Sequence, residues 1–315
     1  MSAQSQGNSS VAIIFPGQGS QFPGMGKNFC DDFATARYAF EEANDLLGYN
    51  LRKLCFEGPA DELNLTQKTQ PAILTVSTAI YRVLTEEVDL SPRFMAGHSL
   101  GEYSALVAAG VLEFCDAVRL VSLRGQFMQE AVPDGVGAMA AILGLSLDDI
   151  TSLCSESSVE DSVVVPANIN SPEQVVISGN SEAVERACVL AKERGAKRVI
   201  PLPVSVPSHS PLMQGASERL SQAMEKVFFG QPSVPVITNV EAEPLPSGEE
   251  ARGLLLRQIS SPVEWVASIR RMVAEDVDLI IEVGPGKVLT GLVKRIERGV
   301  ETLVVDSPEG LKALA

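Results

Sequence analysis

Only two histidines occur in this chain of 315 residues, His98 and His209. Any imidazole chemistry must use one of them, and a histidine-built metal centre is excluded. The five cysteines (Cys30, Cys55, Cys115, Cys154 and Cys188) are odd in number, scattered and without C-x-x-C spacing. That excludes a disulfide framework and suits buried thiols in a reducing cytoplasm. No apolar run reaches the roughly 18 residues of a membrane-spanning helix. Met1 to Ser10 are polar, with neither a charge cluster nor an apolar stretch, so no secretory signal is expected. Basic residues are in deficit: 25 Lys and Arg stand against 40 Asp and Glu, a formal net charge of −15. Such a surface disfavours nonspecific binding to nucleic acid or to an anionic membrane.

What the chain does have is the means to build a core. Hydrophobic residues make up 45 % and charged ones 21 %, which suits one large domain or two. Val11-Ala12-Ile13-Ile14-Phe15 is a continuous apolar run ended by Pro16-Gly17, the mark of a buried parallel strand. Similar runs lie at 234–238, 277–283 and 302–305, separated by helical patterns at 29–47, 69–87, 114–131, 211–227 and 263–275. This alternation predicts an α/β fold with a mostly parallel sheet. The middle of the chain departs from it. Strand 137–143, helix 146–157, strands 162–168 and 174–178, helix 181–195 and strand 198–204 follow one another. That β-α-β-β-α-β order predicts a ferredoxin-like small domain over 133–204, inserted into a large α/β domain made of 1–132 and 205–315.

Gly97-His98-Ser99-Leu100-Gly101 reads as a G-x-S-x-G nucleophile elbow. Apolar Phe94-Met95-Ala96 precedes it and a helical run over 102–109 follows. The glycines allow a strained turn and a close approach of strand to helix. The alternative is an ordinary helix start capped by Ser99. A serine nucleophile needs a base. Neighbouring side chains at a tight turn point apart, so His98 suits packing or hydrogen bonding. His209 lies in Val206-Pro207-Ser208-His209-Ser210-Pro211, a loop before a helix. It is the remaining imidazole, able to take the hydroxyl proton and return it to a leaving group. No acidic residue between Ser99 and His209 has a loop context that would orient the ring. A main-chain or amide carbonyl is the other way to hold it.

On the helix over 114–131, Ala117, Leu120, Val121, Phe127, Met128 and Ala131 share one face, and Arg124 falls in its middle. A guanidinium there needs an anion. The anion is either a buried Asp or Glu or a substrate carboxylate gripped by two hydrogen bonds. Phe15-Pro16-Gly17-Gln18-Gly19-Ser20-Gln21 is a Gly-rich turn after the first strand. It lacks the spacing of a nucleotide-binding loop, and its N–H groups suit an oxyanion hole.

Together these segments resemble the malonyl-CoA:acyl carrier protein transacylases of bacterial fatty acid synthesis and the acyltransferase domains of polyketide synthases. The matches are FPGQGSQ (15–21), GHSLGEYSAL (97–106), Arg124 in SLRGQFM, NINSPEQVVISG (168–179), VSVPSHSPLM (204–213), QISSPVEW (258–265) and EVGPGKVLTGL (282–292). They occur in family order along nearly the whole chain. The resemblance implies an α/β-hydrolase-like large domain with a ferredoxin-like insertion. It implies Ser99 as the acyl-carrying nucleophile, His209 as its base, and Arg124 as the clasp for the free malonyl carboxylate. It also implies the amides of Gln18 and Leu100 as the oxyanion hole, and a carbonyl of Gln258 holding the histidine. The implied reaction carries malonyl from malonyl-CoA to the phosphopantetheine thiol of holo acyl carrier protein, for fatty acid elongation. CoA and phosphopantetheine enter as parts of the substrates, with no separate cofactor, and the enzyme is expected to be a monomer. A serine esterase or thioesterase, or a polyketide-pathway acyltransferase, are the alternatives. The carrier in this family is acidic, so Lys197, Arg198, Lys294 and Arg295 are candidate contacts for it, with Lys287 and Arg298 nearby in sequence.

Overall fold

The computed structural model describes residues 10–204 and 206–314, so of the polar stretch Met1–Ser10 only Ser10 is included. In chain order, β1 (Val11–Phe15) leads to α1 (Lys27–Asp32), α2 (Ala34–Leu47), α3 (Leu51–Glu57), α4 (Ala60–Leu63) and α5 (Thr66–Glu87). β2 (Phe94–Gly97) turns into α6 (Gly101–Ala108) and α7 (Phe114–Glu130). Next come β3 (Gly137–Leu143), α8 (Leu147–Ser157), β4 (Val164–Ser171), β5 (Gln174–Asn180), α9 (Ser181–Glu193) and β6 (Arg198–Pro201). The remainder is α10 (Gln214–Met224), β7 (Val236–Ile237), α11 (Gly248–Gln258), α12 (Trp265–Ala274), β8 (Leu279–Val283), α13 (Val288–Ile296), β9 (Glu301–Val305) and α14 (Pro308–Lys312).

Five strands form a parallel sheet in the order β7-β2-β1-β8-β9. Both its faces are covered, which is why β1 is apolar at every position. Val11, Ile13 and Phe15 join the core shared with α5 and α7, while Ala12 and Ile14 join the core shared with α12 and α13. Burying each such large side chain contributes about 1.5–3 kcal/mol. Because the strands are parallel, their carboxyl ends share one edge, where ligand sites of open α/β sheets lie. The 16–21 turn after β1, the elbow after β2, Asn239 after β7 and Gly284-Pro285-Gly286 after β8 meet along that edge.

The other sheet is antiparallel, in the order β4-β5-β3-β6. Ala140, Ile142 and Ile177 on one face pack with Ile150, Leu153 and Ala187 of α8 and α9. Met139, Ala141, Ala167 and Val176 on the other face cluster with Leu202 and Val204. Main-chain bonds tie β4 of this sheet to the segment between α11 and α12. Ile169 N–H donates to Val263 O and Val263 N–H donates to Ala167 O, both at 2.9 Å. Among the described residues no helix is long and apolar enough to cross a membrane.

Several helices depart from the sequence expectation. The helix expected over 29–47 is two, because Phe33 adopts extended backbone (φ −120°, ψ 129°). Arg37 Nη1 donates to Cys30 O at 2.7 Å and so takes a carbonyl at the end of α1. No Gly or Pro marks this break. The helix expected over 211–227 opens with a 3-10 turn at Pro211–Met213 and ends at Met224. The helix expected from 263 begins at Trp265, because the Val263 main chain is committed to β4.

Candidate active site

Ser99 stands between β2 and α6 with φ 51°, in the left-handed region. Such backbone costs on the order of 1–3 kcal/mol for a residue with a β-carbon. The turn is tight because Gly97 and Gly101 have no side chain. A β-carbon on Gly97 would overlap the Gly101 carbonyl, and one on Gly101 would overlap the Phe15 carbonyl. The strained residue is held at both its main-chain groups. Ser99 N–H donates to Asn239 Oδ1 at 2.7 Å, and Gln258 Nε2 donates to Ser99 O at 2.9 Å.

His209, also in the left-handed region at φ 61°, approaches from the loop before α10. Its N–H donates to Ile259 O at 2.9 Å. Its Nδ1 lies 2.7 Å from the main-chain carbonyl of Gln258 and its Nε2 lies 2.8 Å from Ser99 Oγ. A carbonyl only accepts, so Nδ1 carries the proton and Nε2 is left to accept from the Ser99 hydroxyl. Burial, and next the Arg124 charge, push the imidazole down to about 3. The ring is therefore neutral across the physiological range.

Arg124 comes from α7 and is 1 % exposed. Its partners are neutral. Nη1 donates to Gln70 Oε1 at 2.9 Å, and Nη2 donates to Gln258 Oε1 at 3.0 Å and to Ser99 Oγ at 3.3 Å. Its Nε–H has no partner among the described residues. Burial lowers its pKa, against the opposing influence of Tyr103 and Glu102. The nearby carboxylate, Glu102 on α6, stands one amide away: Gln258 Nε2 donates to Glu102 Oε2 at 2.7 Å. Burial pushes Glu102 up to about 7.

A cleft of about 360 Å³ opens over these groups, lined by Gln18, Ser99, Leu100, Arg124, His209 and, from the antiparallel unit, Met139. The Gln18 and Leu100 amides enter no hydrogen bond to another group of the described residues. A wider, open depression of about 640 Å³ between α8 and α9 contains none of the groups above. His98 is turned away from His209: its Nε2 lies 2.8 Å from Asn170 Oδ1 and its ring meets Trp265 edge-on. The four basic residues are exposed and outside the cleft lining. Lys197 pairs with Glu173 at 3.6 Å and Arg295 donates to Gln174 Oε1 at 3.2 Å, so both flank the turn between β4 and β5. Among the described residues no group of three His, Cys, Asp or Glu is placed to hold a metal ion.

Sequence reasoning passed over Gln70, Glu102 and Asn239, each fully buried or nearly so. Glu102 and Gln70 carry a legible signal, a polar residue within an otherwise apolar helix face. Helix α11, which delivers Gln258, was also missed although Ser247 caps it through Glu250 N–H, with Glu250 at the capping-box position.

Residues 12–305 match the family model described as the acyl transferase domain. The malonyl CoA-acyl carrier protein transacylase of Escherichia coli K12 is 51 % identical over 302 residues, 96 % of this chain and 97 % of that protein. A solved acyl carrier protein S-malonyltransferase from Vibrio cholerae superposes with TM-score 0.95 at 48 % identity, covering 98 % of this chain and 100 % of the other. A solved type II PKS acyl-carrier protein in complex with its malonyl-transacylase gives 0.95 at 47 % identity, covering 97 % and 99 %. The chain belongs to the acyltransferase family, among its malonyl CoA-acyl carrier protein transacylases.

Proposed function

We propose that this chain transfers a malonyl group from malonyl-CoA to the phosphopantetheine thiol of holo acyl carrier protein, through an ester on Ser99. The observation that carries this reading is Arg124. It is a buried guanidinium held by neutral amides, with Nη2 3.3 Å from Ser99 Oγ and an Nε–H that has no partner among the described residues. A buried cation without a carboxylate partner is costly, and a carboxylate on the acyl group supplies the partner. The distance also suits a short diacid. A malonyl ester on Ser99 places its carboxylate carbon two bonds of about 1.5 Å beyond the ester carbon. Each further methylene would carry it past the guanidinium.

In the proposed reaction Ser99 Oγ attacks the thioester carbonyl and its proton passes to His209 Nε2. The amides of Gln18 and Leu100 receive the oxyanion. The C–S bond breaks and His209 returns the proton to the CoA sulfur. The carrier thiol then attacks the ester and reverses the sequence, so kinetics are ping-pong. The Gln258 carbonyl holds the Nδ1–H throughout. The antiparallel unit, 133–204, acts as an inserted domain within 1–132 and 205–315, closing one wall of the cleft.

The test follows labelled malonyl with holo carrier, apo carrier or no carrier. Malonyl transfer to holo carrier alone is expected; steady release of free malonate without carrier would make the protein a hydrolase. In the same assay, Lys294→Glu combined with Arg295→Glu is expected to raise the apparent KM for an acidic carrier roughly three- to tenfold, leaving that for malonyl-CoA unchanged. An unchanged carrier KM would remove these two residues from the docking surface.

A further inference from the structure

The elbow residue is strained, and one side chain outside the reacting set spans the strain. Asn239 follows β7, whose Val236 and Ile237 pair with Met95 and Ala96 of β2. That register brings the chain after β7 beside the chain after β2. Asn239 is 0 % exposed. Its Oδ1 accepts from Ser99 N–H and its Nδ2 donates to Gly97 O, both at 2.7 Å. The carboxamide thus bridges the two residues that flank His98, across the point where β2 ends. Its own main chain is anchored as well, with N–H donating to Glu102 Oε2 at 3.2 Å and the Asn239 carbonyl accepting from Glu264 N–H at 2.9 Å.

We propose that Asn239 is a positioning residue that holds Ser99 in its left-handed conformation and so aims Oγ at His209. This rests on the reading of Ser99 as nucleophile. An amide serves both bonds at any pH, whereas a carboxyl group serves both only when protonated: one atom must accept from an N–H while its geminal atom donates to a carbonyl. Without the clamp, Ser99 is free to relax to ordinary backbone, which would swing Oγ off His209 Nε2. Asn239 touches neither the substrate nor the reacting atoms. Its loss therefore affects the rate of acylation and not the choice of acyl group, the opposite of what is expected for Arg124.

The experiment compares wild type with Asn239→Ala and Asn239→Asp, using quench-flow acylation by labelled malonyl-CoA and acetyl-CoA, with rates expressed per titrated Ser99. Asn239→Ala is expected to lower the acylation rate about 30- to 300-fold for both substrates, with KM for malonyl-CoA within about threefold of wild type. Asn239→Asp is the isosteric control if the alanine variant does not fold. Its ionised carboxylate keeps the Ser99 bond but repels Gly97 O; protonated, it can donate there. The titratable and charged groups around it are Glu102 directly, and the Arg124 guanidinium and the neutral His209 ring on the far side of Gln258. Acidifying from pH 8 to 5.5 is expected to restore Asn239→Asp at least about fivefold, while wild type stays nearly flat because His209 remains neutral. A wild-type rate per titrated site in Asn239→Ala, or no acid recovery in Asn239→Asp, would overturn the clamp. Label retained in Ser99→Ala would instead overturn the reading on which the clamp rests.

Discussion

Arg124→Ala is expected to lower kcat/KM for malonyl transfer about 10²- to 10⁴-fold while leaving acetyl transfer within a few-fold of its starting level. The magnitude follows from losing two charge-assisted hydrogen bonds of about 1.5–3 kcal/mol each. Acetyl transfer is spared because an acetyl group has no carboxylate to bond Arg124, so the variant removes a contact that malonyl alone makes. Arg124→Lys should rescue little. An ammonium cannot span Gln70 Oε1 and Gln258 Oε1 and still present a planar fork to the substrate. The assay compares malonyl- and acetyl-CoA in parallel. Equal losses on both would make Arg124 a structural cation.

His209→Ala should lower transfer of every acyl group by about 10⁴-fold or more, since nucleophile and base act as one unit. The pH profile of the wild type probes the same residue. With the imidazole held down to about 3, the base is neutral from pH 8 to pH 5 and the rate is flat on that side. An imidazole near its usual 6.5 would instead lose roughly tenfold by pH 5.5. Glu102 titrates near 7 but keeps an acceptor oxygen towards Gln258 in either protonation state, so it should add no limb of its own. A limb near 6.5 that disappears in no other variant would show the ring to be solvated.

Much of this arrangement was legible in the order of residues. The apolar run at 11–15 had to be buried on both faces, and the β-α-β-β-α-β order at 137–201 reappears as the antiparallel sheet with its two helices. Scarcity of histidine singled out His209, and one cation in an apolar helix stripe singled out Arg124. What the pattern could not carry was long-range placement. Asn239 owes its position to a two-residue strand whose pairing with β2 brings it to the elbow. Gln258 matters twice, by its carbonyl to His209 and by its amide to Arg124 and Glu102. That double use depends on the end of α11, a helix signalled only by its cap. The break at Phe33 has no Gly or Pro to mark it, and the Cys30 carbonyl it leaves at the end of α1 is taken by the Arg37 side chain.

The role of Glu102 in the charge balance follows from the same geometry. A carboxylate in direct contact with Arg124 would compete with the substrate's own. Set one amide away, it offsets part of the guanidinium charge while Nη2 still faces Ser99 Oγ and Nε–H stays without a partner among the described residues.

The central claim is a malonyl ester on Ser99, and a single-turnover trap tests it most directly. Enzyme in excess is mixed with labelled malonyl-CoA, quenched in acid and digested, and the labelled peptide is mapped. The expected result is one malonyl ester, on Ser99, that holo carrier chases to malonyl-carrier when added before the quench. Label on any other residue, or label surviving intact in Ser99→Ala, would contradict the account.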